Sequence, residues 1–173
     1  RERGITILAK TTSIFYNNTK INILDTPGHA DFGGEVERIM NMVDGCLLLV
    51  DAFEGTMPQT RFVLKKALEA HVKPIVVINK VDRAKIDIER TLDEVLDLFI
   101  ELGAPDECLD FHTVYTSALK GTSSLDADPD SQKPGMDAVL QSIIDIIPAP
   151  KVDINAPLQL QVALLDYNDF VGR

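Results

Sequence analysis

No apolar run in this chain of 173 residues approaches the ~20 residues of a membrane span, and no signal peptide is expected. Cysteine is scarce. Cys46 lies in the apolar "GCLLLV" and Cys108 in the polar "PDECLDF", a pair with neither metal-ligand spacing nor a disulfide framework. A reducing cytoplasm is the expected setting. Positive charge is also short: 17 basic against 27 acidic residues leave a formal charge of −10. Such a surface repels phosphate backbones, so these residues are not expected to grip DNA or RNA by themselves. Hydrophobic residues are plentiful at 45%, which excludes a disordered chain. A chain of this length buries roughly 70% of its unfolded surface, enough for one substantial core.

Apolar runs alternate with amphipathic ones. "TTSIFY" and "KINILD" bracket the turn signal "NNT" and predict a β-hairpin. "GCLLLVD", "KPIVVINK" and "HTVYTSA" predict short buried strands. Helices are predicted for "PQTRFVLKKALEA", with Pro58 in its first turn, and for "DIERTLDEVLDLFIEL", with Leu92, Val95, Leu96, Phe99 and Ile100 on one face. "MDAVLQSIIDII" closes the series. Strands separated by helices imply an α/β fold, a mostly parallel sheet with helices on both faces. The polar stretch from Gly121 to Gly135 predicts a mobile surface loop, and "PAPKVDINAP" (residues 148–157) a linker. Beyond it, "LQLQVALLDY" alternates as a strand does and is expected to begin a β-rich, barrel-like second domain over residues 158–173.

Ligands of open α/β sheets bind beyond the carboxyl ends of the strands, where three motifs fall. They are Asp25-Thr26-Pro27-Gly28-His29, Asn79-Lys80-Val81-Asp82 and Ser117-Ala118-Leu119. Asp82 can accept hydrogen bonds from N1–H and the 2-amino group of guanine. Adenine offers neither donor, and such a mismatch discriminates by ~10⁴ or more. The Ala118 N–H can meet guanine O6, and Lys80 can lie over the base. Asp25 can hold a Mg²⁺-bound water and Thr6 can ligate the ion. The Gly28 N–H can reach a terminal phosphate, since no Cβ intervenes. His29 stands where it can orient an attacking water. Alone, D-x-x-G reads as a strand-end turn, N-K-x-D as a charged turn capping the next helix, and S-A-L as almost nothing; their order along the chain, each at the end of an apolar strand, is what joins them. His71 and His112 read as ordinary boundary residues, and Glu35, Glu37 and Arg38 as a solvated helix face.

With these residues in place the chain resembles translational GTPases. "RGITI" is similar to their first switch, "DTPGHADF" to the second, and "NKVD" and "SAL" to their guanine-reading motifs. The histidine after D-T-P-G marks that class. "DFGGEVERIMNMVDGCLLLVDAFEG", "MPQTRFVLKKALE" and "LQVALLDYNDFVGR" resemble the TypA/BipA family of ribosome-associated GTPases more closely. The resemblance implies GTP/GDP and Mg²⁺ as ligands, Thr6 as metal ligand, Ile5 in an apolar gate and His29 as the catalytic histidine. It also implies a P-loop-GTPase-like fold and a ribosomal partner met mainly through domains other than this one. One motif is missing: the 173 residues contain no G-x-x-x-x-G-K-[S/T], the loop that cradles the β-phosphate. Residues 1–147 are therefore expected to form a GTP-binding domain lacking its first strand and P-loop. By the same resemblance, that strand would lie between "KINILD" and "GCLLLVD". The competing expectation is a non-hydrolysing module that binds a partner through its switch surfaces.

Overall fold

The computed structural model describes residues 10–26, 33–160 and 170. It begins with an antiparallel hairpin of β1 (Lys10–Tyr16) and β2 (Thr19–Asp25), registered from Lys10 opposite Asp25 to Tyr16 opposite Thr19. Asn17 and Asn18 turn the chain with φ of 46° and 62°. Two central residues at positive φ match the twist of the flanking strands, and asparagine tolerates that conformation best after glycine.

The main body follows as α1 (Gly33–Met40), β3 (Gly45–Asp51), α2 (Pro58–Glu69), β4 (Lys73–Asn79) and α3 (Ile88–Glu101). Next come a short α4 (Asp106–Leu109) and β5 (Thr113–Ser117). β3, β4 and β5 run parallel in that order; the central β4 is buried from Pro74 to Ile78, as a strand covered on both faces must be, whereas Leu49 of β3 is exposed. On one face Leu48, Val50, Val76, Ile78 and Tyr115 pack with Leu64 of α2 and Val95, Leu98 and Phe99 of α3. On the other, Ile75, Val77 and Val114 meet Val139, Ile143 and Ile146 of α5 (Asp137–Ile146). α1 packs on α2 through Val36, Met40 and Ala67, and Glu37 reaches Lys66 at 3.4 Å. The α/β expectation is met.

The stretch from Gly121 to Gly135 is not the structureless loop expected. It forms β6 (Thr122–Ser124), a 3-10 turn at Pro129–Ser131 and β7 (Lys133–Pro134); β6 extends the sheet antiparallel to β5, and β7 pairs antiparallel with β6. The sheet is therefore mixed. β6 escapes a hydrophobic pattern search because hydroxyl groups fill its inward positions. Buried Ser123 donates to Gly135 O at 2.9 Å, and Ser124 pairs with Ser131 at 2.8 Å. On α3 the buried stripe runs through Thr91, Val95, Leu98 and Phe99, whereas Ile100, expected on it, is 56% exposed. The stripe turns toward Thr91 because that hydroxyl donates to Asp87 O (2.8 Å) and to Ala52 O (3.2 Å), seating α3 on the end of β3.

Among the described residues β2 pairs only with β1 and β3 only with β4, so the hairpin and the five-stranded sheet are separate. Of the strand expected after the linker, Leu158–Leu160 lie outside any strand with both leucines exposed, and residues 161–169 are outside the described residues.

Candidate functional site

Parallel pairing brings the carboxyl ends of β3, β4 and β5 side by side, with Asp51 opposite Asn79 and Asn79 opposite Thr116. Two of the predicted motifs meet here. The Asn79 amide oxygen accepts from Thr116 Oγ1 (3.2 Å) and from the Ala118 N–H (3.1 Å). Two donors on one atom fix the orientation of that amide and tie β4 to the turn after β5. Asn79 Nδ2 has no acceptor among the described residues and is not buried, so it remains open to a ligand.

Asp82 lies at the front of this arrangement. Ser117 Oγ, 1% exposed, donates to Asp82 Oδ1 at 2.6 Å and itself accepts from the Lys120 N–H at 3.2 Å. That hydrogen bond is the chief influence holding the Asp82 carboxyl below the ordinary aspartate range. Desolvation opposes it, and Lys120 and Arg83 assist. Among the described residues Ser117 is the one side chain that donates to this carboxylate, and the Asp82 backbone N–H adds to the preference for the ionised form. Val81 has another job: its side chain is in the core, and its N–H donates to Thr116 O at 3.2 Å, pinning the loop to β5. Leu119 is 90% exposed at the tip of the turn. Lys80 adopts a left-handed φ of 66°, and its ammonium is ion-paired with Asp51.

Sequence reasoning passes over Asp51, Thr116 and Lys120. A usable signal exists for Asp51. "LLLVD" ends an apolar strand in a carboxylate just as "INILD" does at Asp25. Asp25 itself closes β2, exposed and with no side-chain partner among the described residues. Ile5, Thr6, Gly28 and His29 lie outside the described residues, as does most of the Asp25–His29 motif. His71, at φ 55° after α2, and His112, bonded to Ser142 Oγ at 2.8 Å, take no part in the site. A cavity of about 440 Å³ also lies elsewhere, between the start of α2 and α3. The strand ends thus form an open shelf of oriented polar groups rather than a closed pocket.

Comparison with known proteins bears on what such a shelf holds. Residues 1–149 match the family described as "Elongation factor Tu GTP binding domain". The chain is 65% identical over 173 residues to the "Large ribosomal subunit assembly factor BipA" of Bacillus subtilis (strain 168). It is 58% identical over 172 residues to the protein of that name from Escherichia coli (strain K12). The alignments cover 100% and 99% of this chain but 28% of each relative, so the chain spans under a third of their length. The TypA/BipA resemblance read from the motifs is borne out. Among solved structures, translation elongation factor SelB from Methanococcus maripaludis, in complex with the GTP analogue GppNHp, superposes with a TM-score of 0.67 at 23% identity. That superposition covers 84% of this chain and 30% of that one, and it speaks for the fold.

Proposed function

This chain belongs to the elongation factor Tu GTP binding domain family, and from that premise we propose that it supplies the guanine-reading part of a GTPase that works on the ribosome. Asp82 is the observation that carries the reading. A carboxylate kept ionised chiefly by Ser117 stands beside a turn that Asn79 ties to the end of β4. Guanine presents two donors to such an acceptor; adenine presents an acceptor at N1 and would leave it unpaired. Asn79 would meet the O6 side of the base, and the Ala118 N–H, which donates to Asn79 Oδ1 here, would exchange that partner for O6; Val81 and Ser117 hold the frame, and Lys80 and Leu119 flank it.

The residues also suit Mg²⁺. Asp25 offers a hard, exposed oxygen with no competing protein donor among the described residues, which fits a carboxylate reaching a magnesium ion through water. Thr6 would be the direct ligand. A bound Mg²⁺ supplies charge neutralisation at the phosphates. The chain's own contribution would be the Gly28 N–H on the terminal phosphate and His29 orienting the attacking water, with Ile5 screening that water. Loss of the terminal phosphate would release Thr6 and Gly28 together. Without a phosphate-cradling G-x-x-x-x-G-K-[S/T] loop, the 173 residues by themselves are held to be inactive in hydrolysis.

The ribosome enters from relatives named as large ribosomal subunit assembly factors and from the histidine after D-T-P-G. A formal charge of −10 argues that ribosomal RNA is met mainly by other parts of the protein, and neither DNA nor a membrane is a proposed partner. A cytoplasmic location follows from that work. The linker at residues 148–157 would then lead into a second, β-rich domain. The test is His29→Ala in the protein expressed from its complete gene. GTP affinity should stay within a few fold, and ribosome-stimulated single-turnover hydrolysis should fall by ~10² or more. An unchanged stimulated rate would leave His29 a structural residue and favour the non-hydrolysing module.

A further inference from the structure

Asp51 sits one strand away from the base-reading loop, and its side chain is only 11% exposed. Both of its oxygens are engaged. Oδ1 accepts from the Phe53 N–H (2.9 Å) and the Glu54 N–H (3.4 Å). Oδ2 is ion-paired with Lys80 Nζ, and the Arg83 guanidinium lies 3.7 Å away. Burial pushes this carboxyl upward and is the largest single influence on it. Lys80 and the two N–H groups overcome that, so it titrates below the ordinary aspartate range and stays ionised.

Lys80 is therefore held at both ends. Its backbone occupies the left-handed region, which a residue with a Cβ adopts at a cost and which recurs at ligand clamps. Its ammonium is fastened to Asp51, and the half-exposed stem between these points belongs to the same loop as Asp82. The anchor is itself tied down. Thr91 Oγ1 donates to Ala52 O (3.2 Å), Arg90 to Phe53 O (3.0 Å), and the Thr56 N–H to Glu94 Oε2 (3.1 Å). Gly55 makes the last turn possible at φ 74°, where a Cβ would overlap the Glu94 carboxylate. A free lysine loses much rotamer entropy when a ligand orders it; one already fixed at both ends loses little.

We propose that Asp51 is a positioning residue for guanine binding: it holds the Lys80 ammonium so that the lysine stem is presented, already ordered, to the face of the base. This rests on the guanine-site reading above. The plainer role, capping the turn at residues 52–54, needs only an acceptor at Oδ1, which Asp51→Asn retains while removing the charge that holds Lys80. That substitution separates the two roles.

The experiment is calorimetric titration of GDP and GTP into the protein expressed from its complete gene, as wild type, Asp51→Asn, Lys80→Ala and the double variant. Asp51→Asn should weaken GDP and GTP equally, by about tenfold, because the base is common to both ligands. In the Lys80→Ala background it should add less than about twofold. Equal loss in both backgrounds, or no loss in either, would overturn the proposal. Should Asp51→Asn lower the melting temperature, Lys80→Met decides, since it keeps a stem of similar length and removes the ammonium. Affinity close to wild type in Lys80→Met rejects the anchor, and a loss comparable to Lys80→Ala supports it. An Asp82→Asn control that leaves the GTP preference intact would reject the guanine reading itself. A shifted preference there with no effect at Asp51 rejects only the anchor.

Discussion

Replacing Asn79 by alanine removes the one atom that joins the end of β4 to the turn after β5. Its Oδ1 accepts from Thr116 Oγ1 at 3.2 Å and from the Ala118 N–H at 3.1 Å. The two losses are unequal. Ala118 is exposed, so its N–H recovers a water partner and costs about 0.5 kcal/mol. Thr116 is 4% exposed, and its hydroxyl keeps only a long contact of 3.5 Å to Ile78 O. Leaving that donor poorly satisfied costs about 1–2 kcal/mol. The sum is about 2 kcal/mol, which in a chain of this size lowers the melting temperature by roughly 4–8 °C. Thermal and urea unfolding of Asn79→Ala, Thr116→Val and the pair should show the double variant losing less than the sum of the singles, because both remove the same bond. Strict additivity, or a change below about 0.5 kcal/mol in Asn79→Ala, would refute the claim that this side chain locks the shelf.

Two further outcomes follow from the packing and the charges. Phe99 is fully buried and stacked on Phe111 with ring centroids 5.0 Å apart, so Phe99→Ala should cost about 3–5 kcal/mol in urea unfolding. A loss under about 1 kcal/mol would mean that α3 does not seal this face of the sheet. Asp51 and Asp82 both titrate below the ordinary aspartate range in the folded chain. A carboxyl depressed on folding adds stability that is present above its unfolded value and lost as pH falls through its folded one. Stability should therefore decline on acidification below about pH 4, and less steeply in Ser117→Ala, which lacks the main influence on Asp82. Parallel pH profiles for the two proteins would show that Ser117 does not set that ionisation.

What is legible in the sequence is what hydrophobic patterning reports. β3 and β4 are apolar runs ended by a polar residue and β5 is rich in β-branched residues, so patterning locates their carboxyl ends, and Asn79, Asp82, Ser117 and Ala118 with them. The hairpin is legible because Asn17-Asn18 suits two positive φ angles. β6 is not, because Thr122, Ser123 and Ser124 fill their inward positions with hydroxyls that bond to other chain atoms, and no periodicity records that. The tilt of the α3 stripe away from Ile100 is hidden for a related reason. Thr91 is buried by hydrogen bonds to Asp87 and Ala52, and the second of these joins residues 39 apart in sequence. Asp51 escapes a motif search because its partner Lys80 is 29 residues away and already has a role as part of N-K-V-D.

The central claim is that these strand ends read guanine through Asp82, and competition binding of GTP, ATP and XTP to the protein expressed from its complete gene tests it most directly. Wild type should prefer GTP over ATP by ~10⁴ or more, since adenine leaves the carboxylate unpaired. Asp82→Asn places a donor where the carboxylate was, so it should disfavour the 2-amino group of guanine and favour the 2-oxo group of xanthine, moving preference from GTP toward XTP. Equal affinity for GTP and ATP in wild type, or an undiminished GTP preference in Asp82→Asn, would contradict the account.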